Sequence, residues 1–163
     1  MLFNDTFSGK KIVVTGHTGF KGSWLSTWLI ELGAKVYGIS KDIPTSPSLF
    51  QELKLKDKLE HHVIDIRDEQ RLSSTITSIK PDFLFHLAAQ PIVSTSYIEP
   101  AETISTNVIG TMNVLEALKK LSHECSAIII TSDKAYDNVE QVWGYKENDR
   151  MGGKDIYSGS KGA

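Results

Sequence analysis

The side chains with the clearest chemical potential lie near the end of the chain, in the triplet Ser132, Asp133 and Lys134 and in the pair Tyr157 and Lys161. Tyr157 and Lys161 are spaced i and i+4, so on a helix they share one face. A phenol ordinarily ionises at about pH 10, and a neighbouring ammonium favours the phenolate. With the Ser132 hydroxyl on the same substrate oxygen, such a pair can take a hydroxyl proton while a hydride leaves the carbon.

Asp133 and Lys134 add two titratable groups beside Ser132. Oxidising one carbinol needs only the hydroxyl, the phenol and the ammonium. Removing water also needs an acid for the leaving hydroxyl and a base for the proton alpha to the new ketone. The triplet therefore favours a dehydration over an epimerisation, and the alternative is a solvated turn with a surface ion pair.

A hydride acceptor would be held by the segment from Lys10 to Leu32. Its apolar run, Ile12 to Val14, is followed by Gly16, Gly19 and Gly22 and then by a helix pattern. Glycines let the backbone approach a pyrophosphate, and a helix start attracts the anion. Strand, glycine turn and helix in this order indicate a nucleotide cradle, with a tight turn that binds nothing as the alternative.

The rest of the chain predicts a doubly wound parallel α/β sheet of the Rossmann type. The predicted helices after the cradle are Glu69 to Ile79 and Pro100 to Leu121. The first helix is expected to cover a face of the sheet with an apolar stripe, formed by Trp24, Leu25, Trp28, Leu29 and Leu32. The predicted strands that follow it are Lys35 to Ser40, His62 to Ile66, Phe83 to Leu87 and Ala127 to Ile130.

The carboxyl end of the second strand is where a dinucleotide fold reads the adenosine ribose. Asp42 follows Gly22 at the spacing expected of the acidic residue that hydrogen-bonds the ribose. If the end of this strand is aligned with the end of the same strand in other dinucleotide folds, Ser40 occupies that position instead. Lys41 could instead meet a 2′-phosphate, and a solvated turn is an equal alternative. The segment thus favours NAD without excluding NADP.

Other strand ends supply further cofactor contacts. Asp65 could accept a hydrogen bond from an adenine amino group, whereas Asp68 is expected to cap the helix that follows it. The small residues Ala88 and Ala89 leave room for a ring or a ribose. Asn107 is a poor helix former at mid-helix, which favours a specific hydrogen bond.

Length and composition exclude several classes of protein. A chain of 163 residues can bury one sizeable core, and a net charge of −2 gives no basic field for nucleic acid. Its apolar stretches are too short to cross a membrane. The lone Cys125 cannot form an internal disulfide, which fits a cytoplasmic protein. No HExxH or CxxC spacing occurs, so we assign no metal site.

These motifs together resemble a known family. TGxxGxxG from Thr15 and TNVxGT from Thr106 resemble the extended short-chain dehydrogenase/reductases that act on nucleotide sugars. Over nearly the whole chain, the segments TGHTGFKGSWL, LAAQP, TSDKAY and GYKENDRMGGKDIYSGSKG resemble the CDP-glucose 4,6-dehydratase family. Ser94 departs from the pattern, because relatives often carry arginine there.

The resemblance implies a mechanism and a substrate. Tyr157, assisted by Ser132 and Lys161, would oxidise carbon 4 of CDP-glucose with NAD. Lys134 would then remove the carbon 5 proton, and Asp133 would protonate the departing carbon 6 hydroxyl. Return of the hydride to carbon 6 would give CDP-4-keto-6-deoxyglucose and regenerate the cofactor. The alternatives are a 4-epimerase, a TDP- or GDP-sugar dehydratase, and a regulator that binds NAD without chemistry.

The resemblance also implies a homodimer through helices such as Pro100 to Leu121, and it assigns the cofactor contacts. These contacts are Gly16, Thr18, Gly19, Phe20, Gly22, Ser40, Asp42, Asp65, Ile66, Leu87, Ala88, Ala89, Asn107, Tyr157 and Lys161. Family members continue well beyond the position of Ala163. We therefore expect residues 1–163 to be a Rossmann domain incomplete at its C-terminus and without the substrate-binding domain, and to have little activity alone.

Overall fold

The computed structural model describes residues 2–163, which form one parallel five-stranded sheet with helices on both faces. The strands are β1 Lys11–Thr15, β2 Lys35–Ser40, β3 Glu60–Val63, β4 Phe83–His86 and β5 Ser126–Ile129. Their order is β3-β2-β1-β4-β5, and all neighbouring pairs are parallel. The Rossmann architecture predicted from the sequence is confirmed.

Seven α-helical segments connect and flank the strands: α1 Phe20–Glu31, α2 Leu49–Glu52, α3 Glu69–Ile79, α4 Val93–Ile98, α5 Pro100–Ile104, α6 Gly110–Lys119 and α7 Ile156–Gly162. Short 3₁₀ turns lie at Leu2–Asp5, Leu55–Asp57 and Asp133–Ala135. Within residues 2–163, every helix is too short or too polar to cross a bilayer.

Strand β1 has buried side chains on both faces, because helices cover the sheet on each side. Ile12 and Val14 pack with Leu29 of α1 on one face. Val13 belongs to the other core cluster, in which Leu72 of α3 also packs. The side chains of Ile12, Val13, Val14 and Leu72 are all fully buried. The core therefore holds β1 firmly on both faces, up to the carboxyl end that carries the site.

The face that α1 turns to the sheet differs from the prediction. Its buried residues are Gly22, Ser23, Ser26 and Leu29, whereas Trp24 and Trp28 are 55% and 52% exposed. Small side chains let α1 approach the glycine loop closely. That approach sets the rotation of the helix and directs the tryptophans outward.

Strand β3 ends three residues earlier than predicted. It pairs with β2 through Ser40 and Val63, where β2 itself ends. The Ile64 N–H still donates to the Ser40 carbonyl of β2 at 3.0 Å, and Asp65 and Ile66 then leave the sheet. Ile64 and Ile66 stay buried and help to form the wall of the site.

The helix predicted from Pro100 to Leu121 is interrupted. Helices α5 and α6 are joined by a π-helical turn, Ser105–Ile109, which contains Asn107. Such turns are common at functional sites because they redirect a side chain within a helix. Here the turn buries Thr106 and Asn107, while the apolar side chains of Met112 and Leu115 lie on the outer surface.

Candidate active site

The carboxyl ends of β1, β2 and β4 open into a cavity of about 440 Å³, at the point where the strand order reverses. Most residues predicted to contact the cofactor line this cavity: Gly16, Thr18, Gly19, Phe20, Gly22, Ser40, Asp42, Asp65, Ile66, Leu87, Ala88 and Ala89. Asn107, Tyr157 and Lys161 lie outside its lining.

Gly16 and Gly22 shape the cradle because neither position has room for a side chain. A Cβ on Gly16, whose φ is +73°, would lie 2.7 Å from the backbone nitrogen of Ala88. A Cβ on Gly22 would lie 2.1 Å from the Gly16 carbonyl oxygen. Gly19, at the start of α1, has no side chain to cap the helix. The first N–H groups of α1 therefore remain available to an anionic ligand.

His17, within the glycine loop, anchors that loop to the neighbouring strands. Its fully buried ring places Nε2 at 2.7 Å from His61 Nδ1 and Nδ1 at 3.0 Å from Ser40 Oγ. Gly38 makes room for the ring, since a Cβ there would lie 2.2 Å from His17 Cδ2. Burial, with repulsion from His61, lowers the pKa of His17 to about 4. The neutral ring fixes the loop to β2 and β3.

His86 connects the wall of the cavity to the π-helical turn. Thr111 donates its hydroxyl proton to the Asn107 carbonyl oxygen at 2.7 Å, so it must accept from His86 Nε2 at 2.9 Å. His86 Nδ1 then accepts from the Thr15 hydroxyl at 2.7 Å, and Thr15 Oγ1 accepts from the Ala88 N–H at 3.2 Å. This chain of hydrogen bonds fixes the backbone on which Ala88 lines the cavity.

Asn107 makes the specific hydrogen bonds that its mid-helix position predicts. Its Oδ1 accepts from the Gln90 N–H at 2.8 Å, and its Nδ2 donates to the Gln90 carbonyl at 3.1 Å and to Ser160 Oγ at 2.9 Å. Gln90 follows β4 and Ser160 lies on α7. Asn107 therefore fastens α7 to the carboxyl end of the sheet.

Tyr157 and Lys161 share one face of α7, as their spacing predicts. Lys161 Nζ lies 6.0 Å from the centroid of the Tyr157 ring, and Tyr157 is 8% exposed. Burial lowers the pKa of Lys161. The Thr131 hydroxyl, just beyond β5, donates to the Lys161 carbonyl at 3.4 Å. The pair thus stands at the same edge of the sheet as the cavity.

The triplet Ser132, Asp133 and Lys134 forms a tight turn after β5. Ser132 Oγ donates to Asp133 Oδ1 at 3.0 Å and accepts from the Lys134 N–H at 3.2 Å. Asp133 and Lys134 are exposed, and no ion pair joins them in the described part of the chain. Helix α7 packs against this turn, which brings all five predicted catalytic residues into one region.

Asp65 lies on the cavity wall, but a neighbour already binds its carboxylate. Arg67 donates from Nη2 to Asp65 Oδ2 at 2.6 Å and from Nε to Asp65 Oδ1 at 3.0 Å. Hydrogen bonds from Arg67 outweigh burial and lower the pKa of Asp65. Asp68 caps α3, as predicted, by accepting from the Arg71 N–H at 3.0 Å. Contact between Asp65 and an adenine stays a prediction.

Comparison with protein families identifies the family of the chain. The family model described as GDP-mannose 4,6 dehydratase matches residues 13–163.

The chain belongs to the GDP-mannose 4,6 dehydratase family.

Individual relatives include enzymes with different nucleotide sugars in their names. The chain is 54% identical over 162 residues to CDP-glucose 4,6-dehydratase of Salmonella typhimurium, covering 99% of the chain and 45% of that protein. It is 30% identical to GDP-mannose 4,6-dehydratase of Yersinia enterocolitica, covering 82% of the chain and 38% of that protein. The chain therefore spans about half the length of the curated dehydratases that it matches.

Solved structures of related proteins share the fold. The crystal structure of UDP-glucose 4-epimerase from Thermotoga maritima superimposes with a TM-score of 0.80 at 29% identity. The match covers 93% of this chain and 47% of the epimerase. The fold is therefore shared with an epimerase, and fold alone does not decide which reaction a protein catalyses.

Sequence reasoning missed several side chains that shape the site of this dehydratase-family chain. No motif indicated a role for His61, yet its Nδ1 lies 2.7 Å from Nε2 of His17. No local sequence pattern indicated the contact between Arg67 and Glu102, because it joins segments 35 residues apart. His86 did give a signal, since it is the polar residue at the end of an apolar strand, FLFH.

The two buried histidines predict a pH dependence of stability. Burial lowers the pKa of both His17 and His86 to about 4, whereas an unfolded histidine titrates at about 6.5. Between these values the unfolded chain binds more protons. The free energy of unfolding should therefore fall as the pH is lowered, by up to about 1.4 kcal/mol per pH unit for each histidine.

Urea denaturation of the intact protein at several values from about pH 7 to pH 5 measures this slope. His86→Asn should reduce the slope of the free energy of unfolding against pH by up to the contribution of one bound proton. A free energy of unfolding that does not change across the window would contradict the neutral, buried state of both rings.

Proposed function

We propose that this chain is the cofactor-binding half of an NAD-dependent hydro-lyase that converts CDP-glucose to CDP-4-keto-6-deoxyglucose and water. The observation that carries the proposal is the triplet Ser132, Asp133 and Lys134 packed beside Tyr157 and Lys161 at the carboxyl edge of the sheet. The high identity to a CDP-glucose 4,6-dehydratase supports the choice of nucleotide sugar. The substrate-binding domain would come from a further part of the protein.

The residues of the cavity fit a nicotinamide dinucleotide. The pyrophosphate would lie against the loop from Gly16 to Gly22, where the absence of Cβ atoms and the start of α1 favour an anion. Ser40 and Asp42 would contact the adenosine ribose, and Ala88 would leave room for the second ribose. When bound, the dinucleotide supplies the reversible hydride acceptor that the reaction needs.

The side chains at the carboxyl edge divide the proton transfers among them. Tyr157 takes the proton of the carbon 4 hydroxyl, while the Ser132 hydroxyl would turn from Asp133 to donate a hydrogen bond to the same oxygen. The ammonium of Lys161 stabilises the phenolate that accepts this proton. Lys134 removes the proton from carbon 5, which the new ketone has made acidic. Asp133 gives a proton to the carbon 6 hydroxyl as it leaves as water. Lys134 would return a proton to carbon 5 when the hydride is delivered to carbon 6, which completes the 6-deoxy product.

The glycine cradle provides a prediction for cofactor binding. Gly16→Ala places a Cβ at 2.7 Å from Ala88 nitrogen and forces a side chain into the left-handed region of φ. We expect NAD affinity to fall at least about tenfold, because the loop must move away from the pyrophosphate. Calorimetric titration of the intact protein with NAD measures the change. Gly144→Ala is the matched control, since nothing lies within 4 Å of a Cβ there. Equal affinity in the two variants would contradict the placement of the pyrophosphate.

The outward apolar face formed by Ile104, Ile109, Met112 and Leu115 would be covered in a homodimer, because each of these side chains is at least 40% exposed.

The lone thiol of Cys125 is compatible with a reducing compartment, and we place the protein in the cytoplasm.

A substrate panel tests the activity. The intact protein is incubated with NAD and with CDP-, TDP-, GDP- or UDP-glucose, and the products are identified by NMR. We expect a 4-keto-6-deoxy sugar from CDP-glucose at the highest kcat/KM. A carbon 4 epimer with no loss of water, or no turnover of any nucleotide glucose, would overturn the proposal.

A further inference from the structure

The adenosine end of the cavity carries a cation at the position that would meet the 2′-phosphate of NADP. Lys41 directly follows the last residue of β2 and lines the cavity beside Ser40 and Asp42. In dinucleotide-binding folds, a basic side chain near this strand end accommodates the 2′-phosphate. Lys41 by itself would therefore allow NADP as well as NAD.

A carboxylate from a distant segment holds the Lys41 ammonium. Lys41 Nζ lies 3.3 Å from Oε1 of Glu102, which belongs to α5. The other carboxylate oxygen of Glu102 accepts from Nη1 of Arg67. Arg67 in turn binds Asp65 through its remaining nitrogens. We call Lys41, Asp65, Arg67 and Glu102 the rim quartet.

The rim quartet is electrically neutral, because its two cations are matched by two carboxylates. Hydrogen bonds from Lys41 and Arg67 outweigh the opposing effect of burial and lower the pKa of Glu102, so the carboxylate stays charged at neutral pH. The side chain of Glu102 is 29% exposed, and that of Lys41 is 48% exposed. Lys41 is therefore restrained by its partner and not by packing.

We propose that Glu102 is a specificity-determining residue that makes the cavity select NAD over NADP, by pairing Lys41 so that its ammonium is not free for a 2′-phosphate. The inference rests on the proposed binding of a nicotinamide dinucleotide in this cavity. NADP would have to break the contact between Lys41 and Glu102 and would then face the Glu102 carboxylate. NAD, with a neutral 2′-hydroxyl, meets no such cost.

Removing one negative charge from the rim quartet should reverse this preference. In Glu102→Gln the quartet carries a net positive charge, and the half-exposed Lys41 is free to turn to the phosphate. A charge-assisted hydrogen bond from Lys41 to the phosphate would then form, so we expect NADP affinity to rise about tenfold or more. The affinity for NAD should change far less, because NAD has no charge at this position.

The test is calorimetric binding of NAD and NADP to the intact protein. The variants are Glu102→Gln, the double variant Lys41→Gln/Glu102→Gln and the control Glu99→Gln. Glu99 is an exposed acid at the start of α5, outside the rim quartet, so its variant should bind both dinucleotides as the parent does. The tenfold gain for NADP should appear in Glu102→Gln and vanish in the double variant.

The outcomes separate this inference from the proposed function. If the parent protein binds NAD but Glu102→Gln keeps the same ratio of NAD to NADP affinity, the inference is overturned and the proposed cofactor stands. A gain that persists in the double variant also overturns it, because Lys41 would not be the group released. If the parent protein binds neither dinucleotide, the proposed function itself fails. Circular dichroism of each variant establishes that the fold is retained.

Discussion

Replacing Tyr157 with phenylalanine should slow the formation of the 4-keto product by roughly a thousandfold, because a general acid or base typically contributes a rate factor of that order. The ring is 8% exposed and packs on α7, so phenylalanine fills the same space and the fold should persist. What disappears is the oxygen that accepts the carbon 4 hydroxyl proton. Because the cavity is lined by other residues, NAD affinity should stay within about threefold of the parent value.

The measurement is kcat for CDP-glucose on the intact protein, with NAD binding followed separately. The matched control is Tyr97→Phe, which removes a hydroxyl from a side chain that is 68% exposed on α4. This variant should keep the parental kcat. A Tyr157→Phe variant that retains more than about a tenth of the parental kcat would show that the phenol is not the base.

Lys134→Met and Asp133→Asn should each lower product formation at least about a hundredfold, but for different reasons. Lys134→Met removes the base for carbon 5, so neither water loss nor exchange at that carbon should occur. Asp133→Asn leaves the base in place and removes only the acid for the departing hydroxyl. Exchange at carbon 5 should then continue while water loss is slow.

Incubation of CDP-glucose in deuterated water distinguishes the two variants. After partial reaction, the recovered sugar nucleotide should carry deuterium at carbon 5 with Asp133→Asn and none with Lys134→Met. Lys154→Met, a change in the neighbouring loop outside the proposed machinery, is the control and should form product normally. The reverse labelling pattern would exchange the roles of Asp133 and Lys134.

The part of the site that the sequence predicts well is the part made by consecutive residues. Gly16, Gly19 and Gly22 lie between a strand and a helix, and parallel topology carries every strand end to one edge. The order of the elements along the chain is therefore enough to place Ser40, Asp65 and the residues after β4 at the cavity. The i and i+4 spacing likewise placed Tyr157 and Lys161 on one face.

The parts that sequence reasoning missed depend on contacts between distant segments. Trp24 and Trp28 are hydrophobic, but the close approach of Gly22 to the loop sets the rotation of α1 and exposes them. The pairing of Lys41 with Glu102 joins the end of β2 to α5, and no local spacing indicates it. Hydrophobic periodicity cannot report a helix rotation that small residues determine.

The most direct test of the account uses CDP-glucose that carries deuterium at carbon 4. If the edge formed by Tyr157, Lys161 and the triplet catalyses an internal oxidation and dehydration, the 4-keto-6-deoxy product should carry that deuterium at carbon 6. Mass spectrometry and NMR of the product locate the label. Deuterium lost to solvent, or retained at carbon 4 of an epimerised sugar, would contradict the account.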